Sequence, residues 1–147
     1  MAVAENKLIV AEDGLRQEVI QLLEQNDLPV SDIDGDKILF ALLQDGQIVG
    51  TAGVEYFDDC ALIRSISVKL DHRGTGLGKF IREQLEKNCI QHGIRCLYLL
   101  TTTAKDFFFK EGYDVIDRER VPGIIKNSSQ FSSVCPSSAV VMKKILS

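Results

Sequence analysis

Residues 68–78 read Val68-Lys69-Leu70-Asp71-His72-Arg73-Gly74-Thr75-Gly76-Leu77-Gly78, and this stretch decides the reading of the chain. It joins a β-rich run, Cys60–Val68, to an amphipathic helical pattern over Leu77–His92. Glycine lets a backbone turn sharply and approach a ligand closely. A helix that starts just after such a turn aims unpaired N–H groups and its positive dipole end into it. Strand, glycine turn and helix together describe a cradle for a pyrophosphate. Backbone N–H groups of Gly74–Gly78 can form an anion nest, and Arg73 and Lys79 add positive charge beside it. The same two residues also suit an ordinary solvated helix start, although a lysine there opposes the helix dipole.

Two commoner phosphate motifs do not fit. A P-loop needs four residues between its glycines and then Lys-Ser/Thr, whereas Gly74 and Gly78 enclose three and Phe80 stands where the hydroxyl is needed. The dinucleotide fingerprint needs Gly-x-Gly-x-x-Gly, whereas here the order is Gly-x-Gly-x-Gly. Taken alone, the turn also describes a plain strand–helix connection.

The wider pattern is more specific. The segment Ala61-Leu-Ile-Arg-Ser-Ile-Ser-Val-Lys-Leu-Asp-His-Arg-Gly-Thr-Gly-Leu-Gly78 resembles the acetyl-CoA-binding core of GNAT N-acetyltransferases. About 25 residues on, Ala104…Phe107-Phe108…Gly112-Tyr113 is similar to that family's Ala-x-x-Phe-Tyr-x-x-x-Gly-Phe signature. The resemblance implies an α+β fold. Its mixed, mostly antiparallel twisted sheet would be flanked by helices, with one parallel strand pair splayed apart at the cofactor. It implies that acetyl-CoA lies along Ile66, Ser67 and Val68, the turn Arg73, Gly74, Thr75, Gly76, Leu77, Gly78 and Lys79, and the later residues Thr103, Phe107, Phe108 and Lys110. The Val68 N–H is then the donor to the developing oxyanion.

The chain departs from the family at the acid. Phe108 stands where the usual tyrosine falls and cannot give up a proton. A thiol pKa of roughly 8.5 makes the leaving thiolate a weak base, so the step does not require a dedicated acid. For the base, an α-amino group with a pKa near roughly 8 needs only a water-linked carboxylate or solvent. Glu55 is the first candidate; it also reads as an exposed strand residue. His72 and His92 read as polar residues at a turn and a helix end.

Arg64 is unusual beside the point of acetyl transfer and suits a bidentate clamp on a carboxylate, or else the exposed face of a half-buried strand. Ile63-Arg-Ser-Ile-Ser-Val68 resembles the Ile-Arg-Ser-Leu-Ala-Val of amino-acid acetyltransferases near N-acetylglutamate synthase. The C-terminal pattern Arg118…Val121-Pro-x-x-Ile125…Gln130-Phe131…Cys135-Pro-Ser-Ser-Ala139 is similar to the subgroup associated with arsenic-resistance operons. That likeness implies a small amino-acid-like acceptor contacted by Arg120, Gln130 and Ser137. Cys135 as a metalloid ligand and Cys135 as a packing residue both fit.

The rest of the chain is consistent with one domain. It has 147 residues, of which 45% are apolar and 26% charged, enough for a self-sufficient core. A net charge of −4 and the absence of basic clusters argue against nucleic acid or an anionic membrane as partner. Apolar runs are too short to span a membrane, and the first residues lack signal-peptide order. Four cysteines without close spacing fit a reducing cytoplasm and no structural zinc. A homodimer is left open.

Periodicity predicts a strand at Leu8–Ala11 and a helix capped by Asp13 and running to Gln25, then a turn or short helix over Ser31–Asp36. A hairpin follows, Ile38–Leu43 and Gln47–Phe57, around Asp45-Gly46. The helix after the glycine turn is expected to bury Leu77, Phe80, Ile81, Leu85, Cys89 and Ile90, with Gly93 as its stop. Leu97–Leu100 should pair in parallel with Cys60–Val68, since a helix connects them. Thr101–Thr103 cap a helix over Ala104–Glu111, and Tyr113–Arg118 and Ala139–Ile145 are the last strands. The apolar residues of Glu119–Ser138 suggest a packed loop facing the substrate. Two other activities share these features: a protein N-acetyltransferase with an open peptide groove, and a non-catalytic acetyl-CoA sensor, which Phe108 favours. A metalloid-binding protein built on the cysteines is a third.

Overall fold

The structure is a computed structural model that describes residues 6–26, 37–102, 104–126 and 139–146. Seven strands among these residues form one sheet in the order β1-β2-β3-β4-β5-β7-β6. They are β1 (Asn6–Val10), β2 (Ile38–Gln44), β3 (Gln47–Phe57), β4 (Cys60–Val68), β5 (Cys96–Thr101), β6 (Asp114–Ile116) and β7 (Val140–Ile145). Neighbours are antiparallel except β4 and β5, which are parallel. The helices are α1 (Asp13–Gln25), α2 (Leu77–Gln91), α3 (Lys105–Lys110) and the single turn α4 (Gly123–Lys126).

Local chemistry explains the sharp corners. Asp45 and Gly46 take φ of +52° and +84°, the pair of left-handed residues that a two-residue hairpin needs to match strand twist. Gly93 ends α2 at φ +78°. Thr101 Oγ1 accepts the Ala104 N–H at 2.9 Å just before the short helix α3, whose cap position is Ala104 and carries no side-chain capping bond.

The sheet buries both faces. Phe40, Leu42, Ala52, Val54, Ala61, Ile63, Leu97, Leu99 and Met142 meet Leu77, Ile81, Leu85 and Cys89 of α2 and Phe108 of α3. The opposite face is covered in two patches: α1 lies over Leu39 and Ala41 through Val19 and Leu23, and Val121 and Ile125 lie over Leu62, Tyr98 and Val141. Each large apolar side chain so enclosed contributes about 1.5–3 kcal/mol. Between the two patches the floor is β3 and β4.

Four expectations change. Asp13 is not a cap but the first helical residue, at φ +52°; Glu12 holds the cap position and makes no side-chain capping bond. Ile90 is 48% exposed, because the buried stripe of α2 runs through Leu77, Ile81, Leu85 and Cys89 and leaves Ile90 off its edge. The strand expected at Tyr113–Arg118 shortens to Asp114–Ile116, and the chain then coils into a 3₁₀ turn over Arg118–Arg120. In that turn the Arg118 guanidinium donates to the Ala139 carbonyl at 2.9 Å. Arg64 is buried rather than on an exposed face. Segment 31–36 lies outside the described residues. The described start of the long connection is packed, with Val121 and Ile125 buried and Ile124 exposed.

Candidate active site at the splayed strands

The parallel pair β4–β5 parts soon after it begins. Register partners are Cys60↔Cys96, Ala61↔Leu97 and Leu62↔Tyr98, and pairing stops there although β4 continues to Val68. From Ile63 onward β4 is held on one side only, by β3. The edge facing β5 therefore opens into a wedge.

A bulge sets how that edge is presented. Thr51 pairs with Ser67 and Gly53 with Arg64, so β4 spends one residue more than β3 across this interval. Ser65 sits in the bulge at φ +59°, a strained value for a residue with a side chain. Thr51 holds it: its hydroxyl donates to the Ser65 carbonyl at 2.7 Å and so accepts from the Ser67 hydroxyl, also at 2.7 Å. The bulge changes which face each side chain meets. Ile63, Ile66 and Val68 pack toward α2, whereas Leu62 packs toward Val121 and Ile125.

The direction of the Val68 amide follows from the next bond. Lys69 N–H reaches the Val49 carbonyl at 2.8 Å. Direct partners on an antiparallel ladder alternate between exchanging both hydrogen bonds and exchanging none. Because 49/69 is of the bonding kind, Gly50/Val68 is not, and the N–H and C=O of Val68 point away from β3 into the wedge. The Val68 carbonyl accepts Arg73 Nε at 2.9 Å from that side.

At the mouth of the wedge, Leu70–His72 makes a 3₁₀ turn and Gly74 and Gly76 adopt φ of +79° and +84°. Thr75 Oγ1 donates to the His72 carbonyl at 2.6 Å and pins the loop. A Cβ on either glycine would meet nothing within 4 Å, so the turn is open on its outer side. No side chain caps α2; its first intrahelical donor is Phe80, to Gly76. The N–H groups of Leu77, Gly78 and Lys79 thus precede the helical ladder. The Phe107 ring lies beside Gly78, in ordinary van der Waals range at 3.6 Å from where its Cβ would be. An open nest of amides at a helix start, continuous with an unpaired strand edge, fits a pyrophosphate followed by an extended amide-bearing chain, as in coenzyme A.

The other expected residues divide by position. Phe108 is buried, its ring edge-on to Phe107 and to Tyr113 at centroid distances of 5.0 and 5.4 Å. Tyr113 is wholly buried and donates to Glu86 at 3.0 Å; burial first, then the Glu86 charge, push its phenol far above the ordinary range. Lys110 is exposed at the end of α3 and Arg120 at the end of its 3₁₀ turn. Thr103, Gln130, Ser137 and Cys135 lie outside the described residues.

Glu55 is opposite Leu62 and therefore on the sheet face away from α2. Lys37 Nζ stands 3.8 Å from its Oε1, and both side chains are nearly enclosed. At about 3.3 Å per residue, Glu55 is roughly 17–20 Å along the strand from Val68. Arg64 is on the same face, 4% exposed, with its stem packed so closely over Gly53 that a Cβ there would lie 3.2 Å away. Thr51, Glu55, Arg64 and Ser67 thus make a polar row between the two apolar patches. A cavity of about 600 Å³ between α1 and the β2–β3 turn reaches Lys69, directly after Val68, and is lined by Leu15, Leu22, Leu43 and Glu18 among others. Thr51 and Lys37 carried no signal in the sequence, because the importance of each depends on a cross-strand partner.

Residues 9–113 match the profile of the family described as "Acetyltransferase (GNAT) family". An uncharacterized N-acetyltransferase of Chlorobaculum tepidum is 30% identical over 78 residues, covering 52% of this chain and 50% of that protein. The N-acetylglutamate synthase of Neisseria gonorrhoeae, solved with coenzyme A and N-acetyl-glutamate, superposes with a TM-score of 0.81 at 17% identity, over 99% of this chain and 36% of that one. The ribosomal-protein-S18-alanine N-acetyltransferase of Escherichia coli gives a TM-score of 0.72 at 18% identity, over 97% and 95% of the two chains. The match thus spans about half of the Chlorobaculum protein and about a third of the synthase. At these identities the superpositions show the fold alone. With strand, bulge, glycine turn and helix all inside the matched span, this chain belongs to the GNAT acetyltransferase family.

Proposed function

We propose that the protein is an acetyl-CoA-dependent N-acetyltransferase that acts by direct transfer on the amine of a small amino-acid-like acceptor in the cytoplasm. The observation that carries this reading is the Val68 amide aimed into a wedge whose mouth is the uncapped start of α2. Acetyl-CoA, when bound, supplies an acyl group already activated as a thioester.

The chain's own residues do the rest. Amides of Gly74–Lys79 take the pyrophosphate charge, and Arg73 and Lys79 add to it. The free edge of Ile66–Val68 orders the extended arm by strand-like hydrogen bonds, and Phe107 closes the groove beside Gly78. Val68 N–H donates to the acyl oxygen as negative charge develops on it, a fixed donor in a partly dry site. No side chain must protonate the thiolate, which agrees with Phe108 serving as core.

The acceptor comes from the face opposite α2, where the polar row lies. A buried guanidinium at Arg64 offers a fixed, weakly hydrated positive charge that matches a carboxylate. Glu55, paired with Lys37 at 3.8 Å and roughly 17–20 Å along the strand from Val68, is beyond the reach of one bridging water, so solvent takes the amine proton at the point of transfer. Arg120, Gln130 and Ser137 complete the acceptor pocket in this reading.

Free amino acids and their amides, compared as acceptors, test it. A carboxylate read by Arg64 makes the free acids better in kcat/KM by about 10–100-fold, the range of a charge-assisted bond. Arg64→Gln then removes the preference and Arg64→Lys keeps part of it. Peptides with free N-termini outperforming every amino acid would instead assign the activity to protein N-termini. Acetyl-CoA binding without turnover of any acceptor would assign the chain to sensing.

A further inference from the structure

Cys60 and Cys96 are far apart in the sequence, but the fold makes them direct partners. Cys60 opens β4, Cys96 opens β5, and the two form the first rung of the parallel pair. Their sulfurs stand 2.8 Å apart, so both side chains leave the sheet on one face and turn toward each other. Adjacent strands lie about 4.8 Å apart, within the roughly 4.4–6.8 Å of Cα separation that a disulfide spans. Both thiols are half-buried and free, and Cys60 follows the exposed turn Asp58-Asp59. Cys89, by contrast, is wholly enclosed on the buried face of α2.

We propose that Cys60 and Cys96 are a redox-responsive pair that closes to a disulfide across the β4–β5 seam. The oxidant is a low-molecular-weight disulfide. One cysteine thiolate attacks it and releases one small thiol; the second cysteine then attacks the mixed disulfide and releases the other. One S–S bond forms as one is consumed, and the two cysteine protons end on the two small thiols.

The position gives the bond a consequence. Three register pairs join β4 to β5, and Cys60↔Cys96 is the one farthest from the opening. A covalent tie there fastens the closed end of the wedge whose open end carries Val68. Burial, then the contact with Cys96, pushes the Cys60 thiol up to about 12. Exchange is therefore slow at neutral pH and accelerates toward alkaline pH. The inference does not depend on which amine the enzyme acetylates.

The test treats the native full chain with oxidised glutathione at about pH 8.5, near the free thiol pKa. Unfolding, alkylation and intact mass then count the thiols that remain. Expected is the loss of two of the four alkylations, and a digest peptide joining Cys60 to Cys96. Cys60→Ser abolishes the bridge and Cys89→Ser preserves it. The oxidised wild type unfolds at higher urea than the reduced form, and Cys60→Ser shows no such difference. Four alkylations after oxidation, a bridge to Cys89 or Cys135, or an oxidised form no more resistant to urea would each overturn the proposal.

Discussion

Arg73 Nε donates to the Val68 carbonyl at 2.9 Å, so the first residue of the glycine turn is fastened to the last residue of β4. The anion cradle and the amide that faces the acyl group are therefore held as one unit. Arg73→Ala removes both this strut and a positive charge from the cradle. We expect coenzyme A affinity to fall by about 10–100-fold, the worth of a hydrogen bond to a charged group. Because Arg73 is exposed, the thermal midpoint should scarcely move. Titration calorimetry with coenzyme A, alongside a melting curve, checks both.

Thr51→Val tests the bulge. Valine keeps the shape but removes the donor to Ser65 and the acceptor for Ser67. Thr51 is wholly buried, so the stranded groups cost about 1–3 kcal/mol in urea unfolding. The Val68 edge loosens with the bulge, and kcat/KM should fall while Thr51→Ser retains most of both properties.

Behind the site, Glu86 gathers three donors. Arg82 Nη1 and Lys144 Nζ reach it at 2.8 Å and the Tyr113 hydroxyl at 3.0 Å, while Arg82 also meets Glu111 at 3.2 Å. This network ties α2 to β7 and to the chain just after α3. Removing one partner from a buried ionic cluster costs about 3–5 kcal/mol, because the charges left behind are uncompensated. Glu86→Leu should lower the thermal midpoint by about 10 °C in a chain of this size. Acetyl-CoA should still bind at low temperature.

Alkaline pH should destabilise the fold through Cys89. Burial, then the nearby Glu86 charge, pushes its thiol from 9.0 up to about 12. The fold thus prefers the neutral thiol. The associated stability is fully present below the unfolded pKa and is lost as pH rises from about 9 toward about 12. Urea midpoints over that window should fall less steeply in Cys89→Ala than in the wild type.

What the sequence disclosed, and what it withheld, follows the range of the interactions. Asp45-Gly46 and Gly93 are short-range signals, and the hairpin and the end of α2 sit where they point. The bounds of Cys60–Val68 were equally legible, as was the parallel return of β5, because a helical crossover constrains it. By contrast, the Ser65 bulge depends on Thr51, fourteen residues away across a register slip that no periodicity records. Arg64 is buried because Gly53 opposite leaves room for its stem, a fact about a pair and not about either residue. The Cys60–Cys96 contact and the Glu86–Lys144 bond arise the same way, from partners 36 and 58 positions apart. Ile90 shows the opposite limit: it follows buried Cys89 in the chain, yet a step of about 100° round the helix carries it off the Leu77–Ile81–Leu85–Cys89 stripe.

Thiol release from acetyl-CoA, with a panel of amino acids as acceptors and Gly76→Glu in parallel, tests whether this chain transfers an acetyl group held at the Gly74–Lys79 turn. Gly76 holds φ +84° at the start of α2, so a side chain there both strains the turn and places a carboxylate against the anion nest. The expected result is acceptor-dependent release by the wild type that vanishes in Gly76→Glu while the variant stays folded. Release that persists unchanged in Gly76→Glu, or a wild type that neither binds nor cleaves acetyl-CoA, would contradict it.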